Sequence, residues 1–269
     1  MKKTYKALLC GAAAVAAVGI AYAMDERFFE KAKDKLTVFK CRANSKIMEQ
    51  ALPLTDAMFP GPKVVSGADS AKKIPEVLKE LNVNKVMIVT GPTVGRTIVP
   101  PIAENLERHG IGYTIYDQVE ANPSVKTVEA IRAQYLENGC DGFLAIGGGS
   151  PMDAAKAAAA RVAKPNTPIG KMAGMMKVMT KVAPIVAVPT TSGTGSEVTM
   201  GAVISDHDER HKYAIMDPNL VPKYAVLDPK LTVSMPKFVT ATTGIDALTH
   251  AVESYVTWAY NNNASNRNA

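Results

Sequence analysis

Apolar and polar positions along the middle of the chain follow two different periods, which predicts strands separated by helices. Short apolar runs bounded by turn residues are typical of strands that are buried on both faces, as in a parallel sheet. The predicted strands are Lys85–Thr90, Gly112–Tyr116, Phe143–Ile146, Pro184–Val188 and Tyr224–Leu227. The predicted helices are Ser70–Leu81, Val99–His109, Ser124–Glu137 and Pro151–Val162, with Ser124 as an N-cap and Pro151 at the first position. This order predicts a doubly wound α/β domain with a mostly parallel sheet.

The pattern changes after the fourth strand. Val198–Ser205 and Tyr213–Met216 predict a β-ribbon, and Thr240–Trp258 predicts a helix with no strand signal after it. One helix and a polar tail cannot bury a second hydrophobic core. We therefore expect the α/β domain over residues 41–235, followed at residues 236–269 by the beginning of an all-helical domain that is cut short.

Residues 1–40 form a separate N-terminal segment with two interpretations. Three lysines precede an uncharged run from Ala7 to Met24, and Ala21-Tyr22-Ala23 resembles the cleavage site of a secretory signal. The run is mostly Ala and Gly, however, which partition weakly into a bilayer, so an Ala-rich helix packed on protein is an equal alternative. Membrane contact is expected only through residues 7–24, and the cytosolic cofactor inferred below favours a cytoplasmic location over anchoring or export.

Composition narrows the function classes. A mean hydropathy of zero with 47% hydrophobic residues excludes a polytopic membrane protein. The net charge of +6 comes mostly from residues 1–41, so no basic stripe indicates a nucleic-acid partner. The three cysteines (Cys10, Cys41 and Cys140) are scattered, which argues against a disulfide framework, and Cys140 is expected to be an inert core thiol.

The glycine turn, Gly147-Gly148-Gly149-Ser150, lies between a predicted strand and a predicted helix. Glycines allow the backbone to approach a ligand, and a helix N-terminus attracts a pyrophosphate. The alternative is an ordinary tight turn, because the sequence is not the G-x-G-x-x-G fingerprint. Lys156 and Arg161, further along the same helix, are expected to be solvated.

A second polar stretch, residues 189–197, follows the fourth strand and is here called the hydroxyl loop. It is rich in Thr, Ser and Gly, and it is predicted at the carboxyl end of a strand, where ligands bind in open α/β sheets. Such clusters are more often solvated turns, but two polar loops at strand ends favour a binding site.

A third feature is the pair Asp246 and His250, spaced i, i+4 on the predicted helix. Side chains at this spacing share one face, and a carboxylate with an imidazole suits Fe²⁺ or Zn²⁺. Taken alone, a hydrogen-bonded pair on a polar face is the more common interpretation, because two ligands do not make a site.

Four motifs, GGGSPMDAAK, PTTSGTGSEVT, KYAIMDPNLVPKYAVLDPKLT and TGIDALTHAVESY, closely resemble the iron-containing (group III) alcohol dehydrogenase family. The likeness runs from Val64 to Trp258. It implies a dehydroquinate synthase-like dinucleotide-binding domain, an all-helical domain, and a divalent metal, Fe²⁺ or Zn²⁺, bound by Asp246 and His250. The cofactor-binding positions implied by the resemblance are Asn122, Gly148, Gly149, Ser150, Asp153, Thr190, Thr191, Thr194 and Lys212.

Two departures from the family pattern matter. Many NAD-using members carry an Asp after the first strand, where this sequence has Gly91 following Thr90. Gly91 removes a negative charge that would repel a 2′-phosphate, so NADP(H) is favoured over NAD(H). The family also supplies two further histidine ligands, whereas no His follows His250 in this sequence, so we expect the chain alone to be inactive.

The function implied by the resemblance is metal-assisted hydride transfer between a small primary or secondary alcohol or aldehyde and NAD(P). Family members commonly self-associate through the α/β domain, so a homodimer is expected. Two alternatives remain open: a non-catalytic nucleotide-binding module, and an enzyme of the glycerol dehydrogenase type.

Overall fold

The computed structural model describes residues 61–208 and 210–256. Its α/β unit is Gly61–Asp246, and the described residues after 246 belong to a second unit. The N-terminal run 7–24 and Trp258 lie outside the described residues. No helix within the described ranges has the length and apolarity needed to cross a bilayer.

Strands and helices alternate through the α/β unit, as the sequence predicts. The strands are β1 (Lys63–Ser66), β2 (Lys85–Val89), β3 (Gly112–Tyr116), β4 (Gly142–Gly147), β5 (Gly174–Met175), β6 (Ile185–Pro189), β7 (Gly201–Asp206), β8 (His211–Met216) and β9 (Tyr224–Leu227). The helices are α1 (Ile74–Glu80), α2 (Pro92–Thr97), α3 (Val99–Arg108), α4 (Val125–Glu137), α5 (Gly149–Ala163), α6 (Ile169–Met172) and α7 (Lys237–Val256). Short 3-10 turns occur at Ser70–Lys73, Ser196–Val198, Pro218–Leu220 and Pro229–Thr232.

Six strands form one parallel sheet in the order β1-β9-β6-β4-β2-β3. Alternate residues of each strand enter two separate cores, one on each face. Met87 and Val89 of β2 pack in one core, whereas Val86 and Ile88 pack in the other. The predicted doubly wound α/β fold is therefore confirmed.

The predicted ribbon is also present. β7 and β8 pair antiparallel from Gly201–Met216 to Asp206–His211, and β5 adds a short parallel strand to β8. Helix α4 has Ser124 as its N-cap, since the Thr127 backbone N–H donates to Ser124 Oγ at 3.2 Å. Cys140 is buried, and burial raises the pKa of its thiol, which fits the predicted inert core cysteine.

Three local features differ from the sequence-based expectations. Strand β1 was not predicted, because it is an edge strand whose residues are mostly exposed. Helix α2 was missed because its residues, Pro92-Thr93-Val94-Gly95-Arg96-Thr97, include both a proline and a glycine. Pro151 is the third residue of α5 rather than the first, since this helix begins at Gly149.

Candidate functional site

The glycine turn and the hydroxyl loop meet at the carboxyl edge of the parallel sheet. β4 and β6 are neighbouring strands whose register pairs Gly147 with Pro189, so the two loops leave the sheet side by side. The Thr190 backbone N–H donates to the Gly147 carbonyl at 2.8 Å, which fixes the loops to each other. This edge is where open α/β sheets bind ligands.

The hydroxyl loop packs directly on the glycine turn, so a side chain at Gly148 or Gly149 would force a neighbouring threonine to move. A Cβ atom added to Gly148 would lie 3.2 Å from Thr191 Oγ1, and one added to Gly149 would lie 3.1 Å from Thr194 Cγ2. Both distances are shorter than ordinary van der Waals contacts. The structure therefore brings Gly148, Gly149, Thr190, Thr191 and Thr194 together, as the sequence predicts.

A cleft of about 340 Å³ opens beside the first turn of α5. The N-cap residue of this helix is Gly148, which has no side chain to occupy the first backbone N–H groups, so these groups and the positive dipole end suit an anion. The cleft is lined by Gly149, Ser150, Asp153, Thr194, Ser196, Thr199, Gly201 and Val203. Backbone amides, hydroxyls and a helix N-terminus are the groups that bind a phosphate or pyrophosphate.

Asn122 and Lys212 lie next to the same turn. Lys212 Nζ donates to Asn122 Oδ1 at 3.0 Å, and the Asn122 backbone N–H donates to Ser150 Oγ at 3.3 Å. Asn122 has a φ of 55°, in the left-handed region that Asn tolerates better than most residues. Two hydrogen bonds thus link the ribbon to the glycine turn through Asn122 and place an exposed cation beside it.

Asp153 has both carboxylate oxygens engaged within the protein. Oδ1 accepts from Ser196 Oγ at 2.8 Å, and Oδ2 accepts from the Val203 backbone N–H at 2.9 Å. Burial raises the pKa of this carboxyl, although the hydrogen bonds and nearby Lys156 oppose that shift. Asp153 thus lines the cleft and also binds two other residues that line it, Ser196 and Val203.

Lys156 is not solvated, contrary to the sequence-based expectation. Its side chain is fully buried, and Nζ lies within 2.7–3.2 Å of five oxygens that belong to Ser196, Thr199 and Gly201. Burial lowers the pKa of Lys156 to about 8, against the opposing attraction of Asp153 and Glu197. The available signal was the run of alanines around it, because a helix that is apolar on all faces is buried on all faces.

Arg161 is also buried rather than solvated, and at the other end of α5. Its Nη1 donates to the carbonyls of Lys164, Pro165 and Thr167, and its guanidinium is paired with Glu129. These contacts satisfy the carbonyls of residues that follow the helix, at the opposite end of α5 from the glycine turn. Arg161 therefore stabilises the fold without lining the cleft.

Gly91 is the N-cap of α2, directly after β2. A Cβ atom at this position would lie 3.1 Å from the Val119 carbonyl oxygen, so a side chain here needs a small adjustment of its neighbour. The preceding Thr90 is fully buried, and its Oγ1 has no hydrogen-bond partner within the described ranges. The position lies at the carboxyl edge of the sheet, beyond the strand next to β4.

Asp246 and His250 occur on α7, four residues apart on one helix. They supply a carboxylate and an imidazole, which are suitable donors for Fe²⁺ or Zn²⁺. Among residues 61–208 and 210–256, no group of three or more His, Cys, Asp or Glu side chains could hold a metal ion. The described part of the chain thus provides two donors of a metal site, fewer than such a site needs.

A cleft of about 500 Å³ lies elsewhere, and no predicted site residue lines it. Three basic residues line it: Lys72 and Lys230 are both paired with Asp69, at 3.1 and 2.6 Å, and Arg108 is paired with Glu104 at 3.6 Å. Because these charges are paired within the protein, the glycine turn is the better candidate for binding an anionic ligand.

A parallel, doubly wound sheet with a glycine turn at its carboxyl edge defines an α/β nucleotide-binding protein. Residues 61–229 match the iron-containing alcohol dehydrogenase family, and the chain belongs to that family.

Relatives with assigned names support this membership. Choline dehydrogenase of Bacillus subtilis (strain 168) is 37% identical over 201 residues, which covers 73% of this chain and 50% of that protein. Lactaldehyde reductase of Escherichia coli (strain K12) is 34% identical over 198 residues, covering 72% and 52%. The chain thus spans about half the length of the curated relatives it matches.

Solved structures give the same result. A 1,3-propanediol oxidoreductase superposes with a TM-score of 0.71 at 32% identity, covering 73% of this chain and 52% of that one. The sulfoacetaldehyde reductase from Bifidobacterium kashiwanohense, in complex with NAD⁺, superposes with a TM-score of 0.64 at 30% identity, covering 72% and 51%.

Proposed function

We propose that this chain provides the cofactor-binding half of a metal-dependent alcohol dehydrogenase. The reaction is hydride transfer between a small primary or secondary alcohol, or its aldehyde or ketone, and a nicotinamide dinucleotide. The observation that carries the proposal is the close packing of the glycine turn against the hydroxyl loop, beside an uncapped helix N-terminus. The relatives named for choline, lactaldehyde and propanediol support small alcohols and aldehydes as the substrate class.

Different groups at and around the cleft bind different parts of the cofactor in this proposal. The backbone N–H groups at Gly149 and Ser150 bind the pyrophosphate, where the dipole of α5 favours negative charge. Thr191 and Thr194 pack on the turn, and their hydroxyl groups donate hydrogen bonds to phosphate or ribose oxygens. Lys212, held by Asn122, adds a positive charge at the rim of the same site.

NADP(H) is the preferred cofactor in this proposal. Gly91 lies after β2, the strand next to β4, and has no carboxylate that would repel a 2′-phosphate. Arg96, in the last turn of the same short helix, adds positive charge to α2. A relative was solved with NAD⁺, so the preference is a proposal about this chain and not about the family.

Asp246 and His250 would contribute one carboxylate and one imidazole to a divalent metal. When bound, such an ion withdraws charge from the alcohol oxygen and lowers the pKa of the hydroxyl group. Because the described residues supply only these two donors, no step of the reaction is assigned to them beyond binding. A cytoplasmic location and self-association as a homodimer stay predictions.

The test is to titrate the purified chain with NADPH and with NADH, following the nicotinamide fluorescence. Saturable binding with a preference for NADPH is expected, and no binding of either cofactor would contradict the proposal. A fresh sample is then assayed with Fe²⁺ or Zn²⁺ and with NADP⁺ or NAD⁺ as hydride acceptor on choline, propanediol and glycerol. Turnover supports the dehydrogenase, and preference for glycerol supports the glycerol dehydrogenase type. Cofactor binding without turnover and without metal uptake supports the non-catalytic module, whereas metal uptake without turnover supports an incomplete dehydrogenase.

A further inference from the structure

We propose that Lys156 is a positioning residue for the cofactor: it fixes the segment of residues 196–201 against α5 and thereby sets how tightly the nucleotide binds. The inference rests on the proposed function, because it assigns a role toward the nucleotide of the same cleft. Lys156 does not line that cleft. It acts from behind, through the residues that do.

The geometry around Nζ shows what the lysine holds. The Ser196 carbonyl and hydroxyl oxygens lie at 2.7 and 3.0 Å, the Thr199 carbonyl and hydroxyl at 2.9 and 3.2 Å, and the Gly201 carbonyl at 2.9 Å. An ammonium group has three hydrogens to donate, and five acceptor oxygens lie within hydrogen-bond distance, so every hydrogen has an acceptor. A single buried side chain thus gathers three carbonyls of one short segment onto α5.

Asp153 completes the attachment from the same face of the helix. Ser196 Oγ accepts from Lys156 and donates to Asp153, which also accepts from the Val203 backbone N–H. Asp153 and Lys156 are three residues apart, so one turn of α5 binds the segment at both of its ends. A change at Lys156 is therefore transmitted to Ser196 first.

The fixed segment forms one wall of the cleft. Ser196, Thr199 and Gly201 line it together with Gly149 and Ser150 of the glycine turn. Gly149 and Ser150 are the first residues of α5, and Lys156 follows two turns later, so one helix carries part of the cleft lining and binds another part. The hydrogen bonds from the Lys156 ammonium group, with those to Asp153, therefore fix the segment 196–201 relative to the glycine turn.

Arg161 provides a matched control on the same helix. Both are buried cations that donate to three or more backbone carbonyls, but the carbonyls bound by Arg161 belong to residues 164–167, outside the cleft. Loss of either cation removes a comparable set of contacts. Only one of the two losses should reach the nucleotide.

The experiment compares Lys156→Met with Arg161→Met, well below the melting temperatures of both variants. Lys156→Met is expected to weaken NADPH binding at least roughly tenfold and to speed amide hydrogen exchange in residues 196–201. Arg161→Met is expected to lower the melting temperature while leaving the NADPH dissociation constant within about twofold. Equal effects of both variants on binding, or unchanged exchange in residues 196–201 of Lys156→Met, would overturn the proposal.

Ser196→Ala is the second variant, in case Lys156→Met does not fold. It removes only the hydroxyl that bridges Lys156 and Asp153, so it should raise exchange in the segment and weaken NADPH binding by a smaller factor. Unchanged NADPH binding by a folded Ser196→Ala protein counts against the positioning role. If the wild-type chain binds no nicotinamide cofactor, the proposed function fails, and the exchange measurement still decides whether Lys156 holds the segment.

Discussion

Helix α5 carries two buried cations that each bind backbone carbonyls, one at the middle of the helix and one near its C-terminus, and the two contacts have different roles. Near the C-terminus, Arg161 is paired with a carboxylate, Glu129, and binds the carbonyls of the loop that leaves the helix. At the middle of the helix, Lys156 reaches the Asp153 carboxylate through Ser196 and holds the segment that lines the cleft. Arg161, which serves stability, contacts its neutralising carboxylate directly. Lys156, which adjoins the site, reaches a carboxylate through the Ser196 hydroxyl.

This difference has an electrostatic consequence. Burial lowers the pKa of Lys156 to about 8, within reach of mildly alkaline solution. Loss of its proton would change the hydrogen bonds that hold the segment 196–201, and perturbed pKa values are common at functional sites.

The largest effect is expected from Arg161→Met, which tests the structural end. The substitution leaves the carbonyls of Lys164, Pro165 and Thr167 without this donor, and Glu129 keeps only its contact with Arg132. The free energy of unfolding should therefore fall by about 3 kcal/mol. Chemical denaturation with urea measures the loss. Lys126→Met, at an exposed ion pair with Asp208, is the control and should change stability by about 0.5 kcal/mol or less. A loss for Arg161→Met no larger than that of the control would remove the structural half of the comparison.

Gly149→Val tests the other end of the helix. A Cβ atom added to Gly149 would lie 3.1 Å from Thr194 Cγ2, so a branched side chain would force the hydroxyl loop away from the turn. We expect NADPH binding to weaken about a hundredfold, equivalent to about 2.7 kcal/mol. Isothermal titration with NADPH gives the dissociation constant.

Gly244→Ala on α7 is the matched control, because a Cβ atom there meets nothing within 4 Å. It should leave NADPH binding unchanged and should not reduce stability. If Gly149→Val binds NADPH as the control does, the glycine turn is not the pyrophosphate site.

The sequence predicts most of this helix but not its cations. The glycine turn, the alanine run and the strand before it specify where α5 lies in the chain, and hydropathy predicts β4 before it and β6 after it. Lys156 looks solvated in the sequence, since a lysine is ordinarily exposed. Its burial depends on the segment 196–201, which is distant in sequence and whose carbonyl directions no local pattern encodes.

The same limit explains what else could not be predicted. Strand β1 pairs with β9, which is more than 150 residues later, and its exposed residues give no buried-strand signal. Thr191 and Thr194 could be assigned to the site by position, but their packing on Gly148 and Gly149 appears only when β4 and β6 are adjacent. Local periodicity predicts elements, whereas side-chain partners depend on topology.

Alkaline pH provides an effect of intermediate size. The unfolded chain keeps the proton of Lys156 up to its ordinary pKa of 10.5, whereas the folded chain releases it near 8. Between these values the unfolded state binds more protons, so this lysine makes stability rise with pH, by about 2 kcal/mol from pH 8 to pH 9.5. The charged groups that act on Lys156 are Asp153 and Glu197, and both oppose the lowering of its pKa.

Urea denaturation of the wild type and of Lys156→Met at several pH values isolates this contribution, because all other groups titrate alike in the two proteins. The difference in stability should change in favour of the wild type as the pH rises above 8. Arg161→Met should follow the wild-type pH dependence. Parallel curves for wild type and Lys156→Met would show that Lys156 keeps its proton in the folded chain.

The smallest effect is expected after the neighbouring strand β2, where Gly91 is proposed to set the cofactor preference. Gly91→Asp introduces a carboxylate that repels a 2′-phosphate and accepts hydrogen bonds from a ribose hydroxyl. The ratio of NADPH to NADH affinity should fall about tenfold, or about 1.4 kcal/mol. Gly91→Ala is the control, since it adds the Cβ atom that lies 3.1 Å from the Val119 carbonyl but no charge. A change of the ratio in both variants would assign it to crowding, whereas a change in Gly91→Asp alone assigns it to charge and makes Gly91 the residue that discriminates the two cofactors.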